Sequence, residues 1–255
     1  MDGLGRPVEV VKELYTPPSD AHPNAYWHQK NYVAYDALGR QNKTYLPFES
    51  NSSLGFETPP PYTSSYVLTE YEASPLSRPV KQTNVDNTVV ATSYGTNGAN
   101  DVRLFVAASG SGGSVSGGSF YAANTLNKTT MTDENAKQTG VFKDKLGRVI
   151  LTRKFLNSQN VDTYNVYDDY GQLVAVLPPG SVDGSGAVTN SLTFQYVYDN
   201  QNRLSEKKIP GADVQKFYYD NRDLLVLTQD GNMRSDAATK HLATLYDDLG
   251  RVVKT

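Results

Sequence analysis

The chain has 255 residues, enough for one large domain or two small ones, with 24 Lys plus Arg against 27 Asp plus Glu and a net charge of -3. That balance gives no general electrostatic grip on nucleic acid or on an anionic membrane. The absence of cysteine excludes disulfides, thiolate metal sites and cysteine nucleophiles together. No stretch approaches ~18 consecutive apolar residues, so no membrane-inserted helix is predicted. Eighteen Tyr and eight Phe stand against one Trp and three Met. Tyrosine pairs a large apolar ring with a polar tip and favours strands, which suggests sheets with partly wet faces.

In chain order, the opening "DGLGR" at Asp2 lacks the charged-then-apolar pattern of a signal peptide. It is the first copy of a repeated phrase, so the chain reads as a fragment of a longer protein. "AYWHQKNYVAYD" then leads into "YDALGR" at Tyr35, and "YEASPLSR" at Tyr71 is a degraded copy with a longer turn. Further copies are "FKDKLGR" at Phe142, "YDDYGQL" at Tyr167, "YDNQNRL" at Tyr198, "YDNRDLL" at Tyr219 and "YDDLGR" at Tyr246. Uneven spacing between copies argues for hairpins whose far ends vary rather than for a strict solenoid.

Two stretches break the pattern. "LPFESNSSLGFETPPPYTSS" from Leu46 is a Pro/Ser-rich excursion, and the Gly/Ser run at 108–119 reads as a flexible insertion. Between the late copies, "SLTFQYVYD" alternates with period two, placing Leu192, Phe194, Tyr196 and Tyr198 on one face. "RLSEKKIPGADVQKFYYD" holds a second turn at Pro210-Gly211 between strands at about 203–209 and 214–219. "SDAATKHLATLYDD" carries a helix-start signal at Ser235 but runs straight into another Tyr-Asp tip. The prediction is an all-β, antiparallel hairpin meander, one repeat region over residues 1–255.

The phrase Asp-x-x-Gly has a local reading as a hairpin tip. Asp opens a type I turn by bonding its own backbone, and Gly supplies the left-handed residue that follows. The turn residues are Tyr35, Asp36, Gly39 and Arg40; Asp144, Gly147 and Arg148; Tyr167, Asp168 and Gly171. They continue as Tyr198, Asp199 and Arg203; Tyr219 and Asp220; Tyr246, Asp247, Gly250 and Arg251. Asn202 replaces Gly in one copy and Asp223 in another; Asn is the next most tolerant residue there. Within one tip, Tyr35 and Arg40 are expected to face each other, ring against guanidinium, for roughly 0.5–1 kcal/mol.

Chemistry is harder to find. The glycine run has no Lys to complete a phosphate-binding loop, and "GGSVSGG" lacks the strand–helix context of a nucleophile elbow. His22, His28 and His241 suit no common zinc spacing, and Asp168-Asp169 and Asp247-Asp248 miss calcium-loop spacing, so turn chemistry accounts for them. No catalytic, cofactor or metal residue is assigned. Asn42, Asn51 and Asn127 match glycan acceptors, a motif that arises often by chance. Tyr and Trp beside Arg and Asn also suit a sugar-binding surface, so a glycan partner stays open beside a packing role.

The recurring Tyr-Asp…Gly-Arg resembles the YD repeat of the RHS family, bacterial relatives of the teneurins and the insecticidal toxin complexes. "DGLGRPVEVV", "YDALGRQNKTYLPFES", "YEASPLSRPVKQT", "FKDKLGRVILTRKF" and "YDDYGQLVAVLPP" resemble RHS proteins of Bacteroidetes-type bacteria. The resemblance implies a sheet spiralling into a hollow, secreted or cell-surface shell around a C-terminal toxin or effector, with neighbouring repeats as partners. It supplies no catalytic residue. Tyr-rich hairpins favour a thin single-layered sheet over a sandwich, and its strand edges invite edge-to-edge self-association.

Overall fold

The computed structural model describes residues 1–15, 26–50, 65–107, 115–157, 159–235 and 240–255. His22, Asn51 and residues 108–114 of the Gly/Ser run lie outside the described residues. The chain divides into two compact units, Met1–Ser93 with Met131–Gln138 and Tyr94–Thr130 with Thr139–Thr255. The repeat runs through both.

The first unit is an antiparallel meander. Strand β1 (Glu9–Tyr15) pairs with β2 (Tyr26–Tyr35), which pairs with β3 (Gln41–Tyr45) and, further back, with the short β4 (Phe48–Ser50). Strand β5 (Tyr66–Tyr71) adds to β3, and β6 (Pro79–Thr83) and β7 (Val89–Thr96) follow. Lys30 is fully buried and lies 3.5 Å from Glu9 across the β1–β2 pair.

The second unit starts from the β8–β9 hairpin (Arg103–Ala107, Val115–Phe120), β10 (Asn127–Thr132) and β11 (Gln138–Lys143). Six strands then pair in chain order: β12 (Val149–Leu156), β13 (Gln159–Tyr167), β14 (Leu173–Leu177), β15 (Phe194–Tyr198), β16 (Leu204–Lys208) and β17 (Gln215–Tyr219). Strand β18 (Leu225–Gln229) and the two-residue β19 (Leu242–Ala243) extend them. A separate hairpin, β20 (Leu245–Tyr246) with β21 (Val252–Lys254), carries the last tip. Turns every ten residues or so and the β-branched and aromatic strands dictate this meander.

Several expectations are corrected. Residues 115–119 are strand, not flexible insertion. A Cβ on Gly117 would stand 2.6 Å from the Leu104 carbonyl oxygen, where the β8–β9 register shifts. Glycine there serves close strand approach. The single-layered expectation fails locally, because the β8–β9 hairpin packs on β12–β14. Val102, Phe105, Leu126, Phe142, Leu151, Val166 and Leu177 are among the residues of the dry cluster that results, and Phe105 meets Tyr164 edge to face at 4.9 Å. Phe142 is thus a core residue, not a counterpart of the tip tyrosines. The helix is one turn, Gly231–Ser235, ending where the sequence suggested a start, because Asp230 caps it and β19 follows at Leu242. On β15 the buried residue is Gln195, tied to Thr193 Oγ1 at 3.0 Å, so the predicted apolar face is not the dry one. The Gly211 turn forms as expected, with φ +74°.

Candidate functional site

The sequence repeat builds one structural device many times. At Tyr35–Arg40 the Asp36 N–H donates to the Arg40 carbonyl and the Gly39 N–H donates back to the Asp36 carbonyl, both near 2.9 Å. Asp36 Oδ1 accepts the N–H groups of Leu38 and Arg40, and Oδ2 accepts Arg40 Nε at 2.7 Å. One carboxylate therefore holds the whole tip. The same set recurs at Asp2, Asp144, Asp199 and Asp247, with Arg6, Arg148, Arg203 and Arg251 as partners. Asp168 and Asp220 keep the backbone bonds while Gln172 and Leu224 stand where Arg would.

Electrostatics follow the geometry. The Arg40 N–H above all holds the Asp36 carboxyl below its ordinary range, and Arg203 and Arg251 N–H groups do the same for Asp199 and Asp247. In the degraded copy Glu72 replaces Asp. The Arg78 guanidinium grips it through both oxygens at 2.8 and 2.9 Å, bringing its pKa down to about 2.

Left-handed residues close the tips: Gly5, Gly39, Gly147, Gly171 and Gly250 have φ between +76° and +83°. Asn202 and Asp223 take the same conformation at +63° and +62°. The residue before the left-handed one points to solvent, with Leu38 76% and Leu249 78% exposed. Sequence reading missed three further turns of this design, Asn84–Thr88, Asp133–Lys137 and Asp183–Ala187. They carry no tyrosine, though an Asn or Asp four residues before the strand restarts was a usable signal.

The tyrosines join one tip to the one before it. Tyr35 Oη donates to the Pro7 carbonyl at 2.8 Å, Tyr71 to Gln41 at 2.7 Å and Tyr167 to Val149 at 3.3 Å. Tyr198, Tyr219 and Tyr246 donate to the carbonyls of Leu173, Leu204 and Leu225 at 2.9–3.0 Å. Each acceptor sits one residue past the arginine position of the preceding tip. The strand register shifts at each of Tyr35, Tyr71, Tyr167, Tyr198, Tyr219 and Tyr246, a bulge that re-aims the ring.

The expected ring–guanidinium contact within one tip is corrected accordingly. Arg40 lies over Tyr71, not Tyr35, at 4.7 Å, and Tyr35 receives Arg6 at 4.2 Å. Arg148 covers Tyr167 at 5.0 Å and Arg203 covers Tyr219 at 4.7 Å. Each arginine is held by its own aspartate, so its free face and outer nitrogen point to the next tip. Arg6 Nη1 donates to the Gly39 carbonyl at 2.8 Å.

A second cluster was missed in the sequence. Arg153, 6% exposed, donates to both oxygens of Asp162 at 2.8 and 2.9 Å, to Asp101 Oδ1 and to the Asp101 carbonyl. Burial alone would push its pKa down, but the Asp162 and Asp101 carboxylates push it up, so it stays charged. The network fastens the segment before β8 to the β12–β13 hairpin.

Among the described residues, no three His, Cys, Asp or Glu side chains come together as metal ligands. His241 lies edge-on to Tyr218 at 6.1 Å. An open depression of about 670 Å³ lies between Lys208, Asp213, Asp230 and Asn232, with Asp230 committed to the Met233 N–H. The device is mechanical: each of the six tyrosine-bearing hairpins is pinned to the tip before it.

A family model described as "Domain of unknown function (DUF6443)" matches residues 1–101. Comparison with curated proteins finds no match. Among solved structures, the chain is similar to the "Crystal Structure of TcdB2-TccC3" (TM-score 0.56, 16% identity, 89% of this chain and 10% of that chain). It is also similar to TcdB2-TccC3 without its hypervariable C-terminal region (TM-score 0.60, 15% identity, 90% and 10%). A third match is the Photorhabdus luminescens Tc holotoxin pore carrying a mutation in TccC3 (TM-score 0.61, 15% identity, 99% and 12%). These likenesses show a shared fold. The chain spans about a tenth of the length of the chains it matches.

Proposed function

We propose that the chain is a non-enzymatic wall segment of an RHS-type shell, part of a longer secreted or cell-surface bacterial protein that encloses a C-terminal toxin or effector. The observation that carries this reading is the tip-to-tip ladder. Six tyrosine hydroxyls and four arginine–tyrosine stacks bind six of the hairpins each to the tip before it. Such coupling makes a sheet grow by repetition, which suits a wall. It also engages aromatic rings that a sugar-binding surface would need free. The shared fold with toxin-complex chains supports the same assignment.

The test deletes residues 1–255 from the parent protein and adds protease. A wall segment predicts that the downstream effector becomes cleavable while its own activity is kept. An effector that stays protected overturns the reading, and a specific micromolar ligand on a glycan array would put an adhesive surface in its place.

A further inference from the structure

Lys81–Glu70 at 2.7 Å and Lys216–Glu206 at 3.4 Å are ordinary ion pairs between neighbouring strands, their side chains 35–46% exposed. Lys30 and Glu9 make the same kind of pair across β1 and β2 at 3.5 Å, but their side chains are 0% and 6% exposed. Lys30 stands opposite Val11 of β1 and Phe48 of β4, and Phe48 is itself buried. Glu9 lies two residues along β1 from Val11, so strand alternation puts it on the face that carries Lys30. The ion pairs within the tips close to 2.6–2.7 Å, as charge-assisted hydrogen bonds do. The better sheltered pair does not close. Lys30 Nζ rests instead with the Glu9 carboxyl carbon one bond beyond its 3.5 Å contact, near the ~3–3.5 Å separation of atoms about to react. His28, two residues from Lys30 and so on the same face of β2, has a buried Nδ1 with no hydrogen-bond partner.

We propose that Lys30 and Glu9 form a self-modification site, condensing to an amide between Nζ and the side-chain carboxyl carbon that ties β1 covalently to β2. Solvent stabilises the charges of the two exposed pairs and opposes condensation by mass action, whereas a dry site does neither. The atoms balance without a co-reactant. Lys30 Nζ passes one proton to the Glu9 carboxylate, and its lone pair then attacks the carboxyl carbon. His28 Nδ1 is the base that takes the second proton from Nζ and returns it to the departing hydroxyl. A C–N bond forms, a C–O bond breaks and one water leaves. The product is a brace at one place in the sheet, and it stands or falls apart from the wall reading.

The test is the intact mass of the 255-residue chain, taken in denaturant after the folded protein has been incubated at neutral pH. The wild type is expected one water lighter than its sequence. Trypsin should then leave residues 1–12 joined to residues 13–40, with no cut at Lys30. Lys30→Arg keeps the charge but removes the primary amine, so it should have the full sequence mass. Lys81→Arg, at the exposed pair, should keep the deficit. Full mass for the folded wild type overturns the proposal and leaves Lys30–Glu9 a buried ion pair. So does a water lost elsewhere, as by ring closure at Asp230-Gly231, which the digest would locate. The wild-type mass and digest decide even if Lys30→Arg fails to fold.

Discussion

Replacing Tyr71 by Phe deletes one hydroxyl and leaves the ring beneath Arg40, so it isolates the bond to the Gln41 carbonyl at 2.7 Å. That acceptor is exposed and water can replace the lost donor, which puts the cost near the low end for a hydrogen bond, about 0.5 kcal/mol. Tyr71→Leu also removes the ring at 4.7 Å from the guanidinium, adding about 0.5–1 kcal/mol. A double-mutant cycle separates this inter-tip contact from everything else. Arg40 also bonds Asp36, the Glu72 carbonyl and Ser77. The first of these cancels in the cycle. The last two lie on the tip that Tyr71 positions, so they count toward the coupling. Urea unfolding of wild type, Tyr71→Leu, Arg40→Ala and the double variant, followed by circular dichroism, gives the four midpoints. A coupling of about 0.5–1 kcal/mol is expected. Additivity within about 0.3 kcal/mol would refute the claim that arginine of one tip holds tyrosine of the next.

Gly39→Val should cost more than about 1 kcal/mol, because φ is +79° and the new Cβ would stand 2.5 Å from Arg6 Nη1. Gly250→Val, equally strained at φ +76° but with no atom nearer than 3.9 Å, should cost less than Gly39→Val; unchanged melting for both would refute the turn assignment. Gly117→Ala should cost about 1–3 kcal/mol by forcing β8 and β9 apart, read as a lower urea midpoint. Arg153→Leu strands Asp101 and Asp162 and should cost about 3 kcal/mol in chemical unfolding. Acid should unfold the ladder. The tip carboxylates have depressed folded pKa values, so their stabilisation is complete above the ordinary carboxylate range and is lost as pH falls from there through the lowered folded values. Glu72, lowered from 4.5 to about 2, titrates at the foot of that window. A Tm flat down to about pH 4.5 and falling towards pH 2 is expected, and a Tm constant to pH 2 would contradict the carboxylate assignment.

The tips were legible in the sequence because their chemistry is local. Asp36 and Gly39 act on backbone within four residues, and that recurring signal gave hairpins and an all-β meander, though not the register shift at each tip tyrosine. What Tyr35 touches was not legible, since its partners, Pro7 and Arg6, lie about thirty residues away and belong to another tip. The expectation of an internal Tyr35–Arg40 pair assigned the arginine to its own hairpin. Asp36 instead fixes that guanidinium facing outward. The layer formed by the β8–β9 hairpin was hidden for a different reason. Its Gly/Ser composition reads as flexibility, whereas Gly117 is small because Leu104 and Phe105 leave no room for a side chain. Arg153 looked like an ordinary strand charge until the fold brought Asp101 to it from fifty-two residues away.

The most direct test of the wall assignment is a density map of the parent protein. The account predicts the 1–255 region as hairpins continuous with neighbouring repeats, lining an enclosed chamber. A region that projects as a separate domain outside any chamber would contradict it.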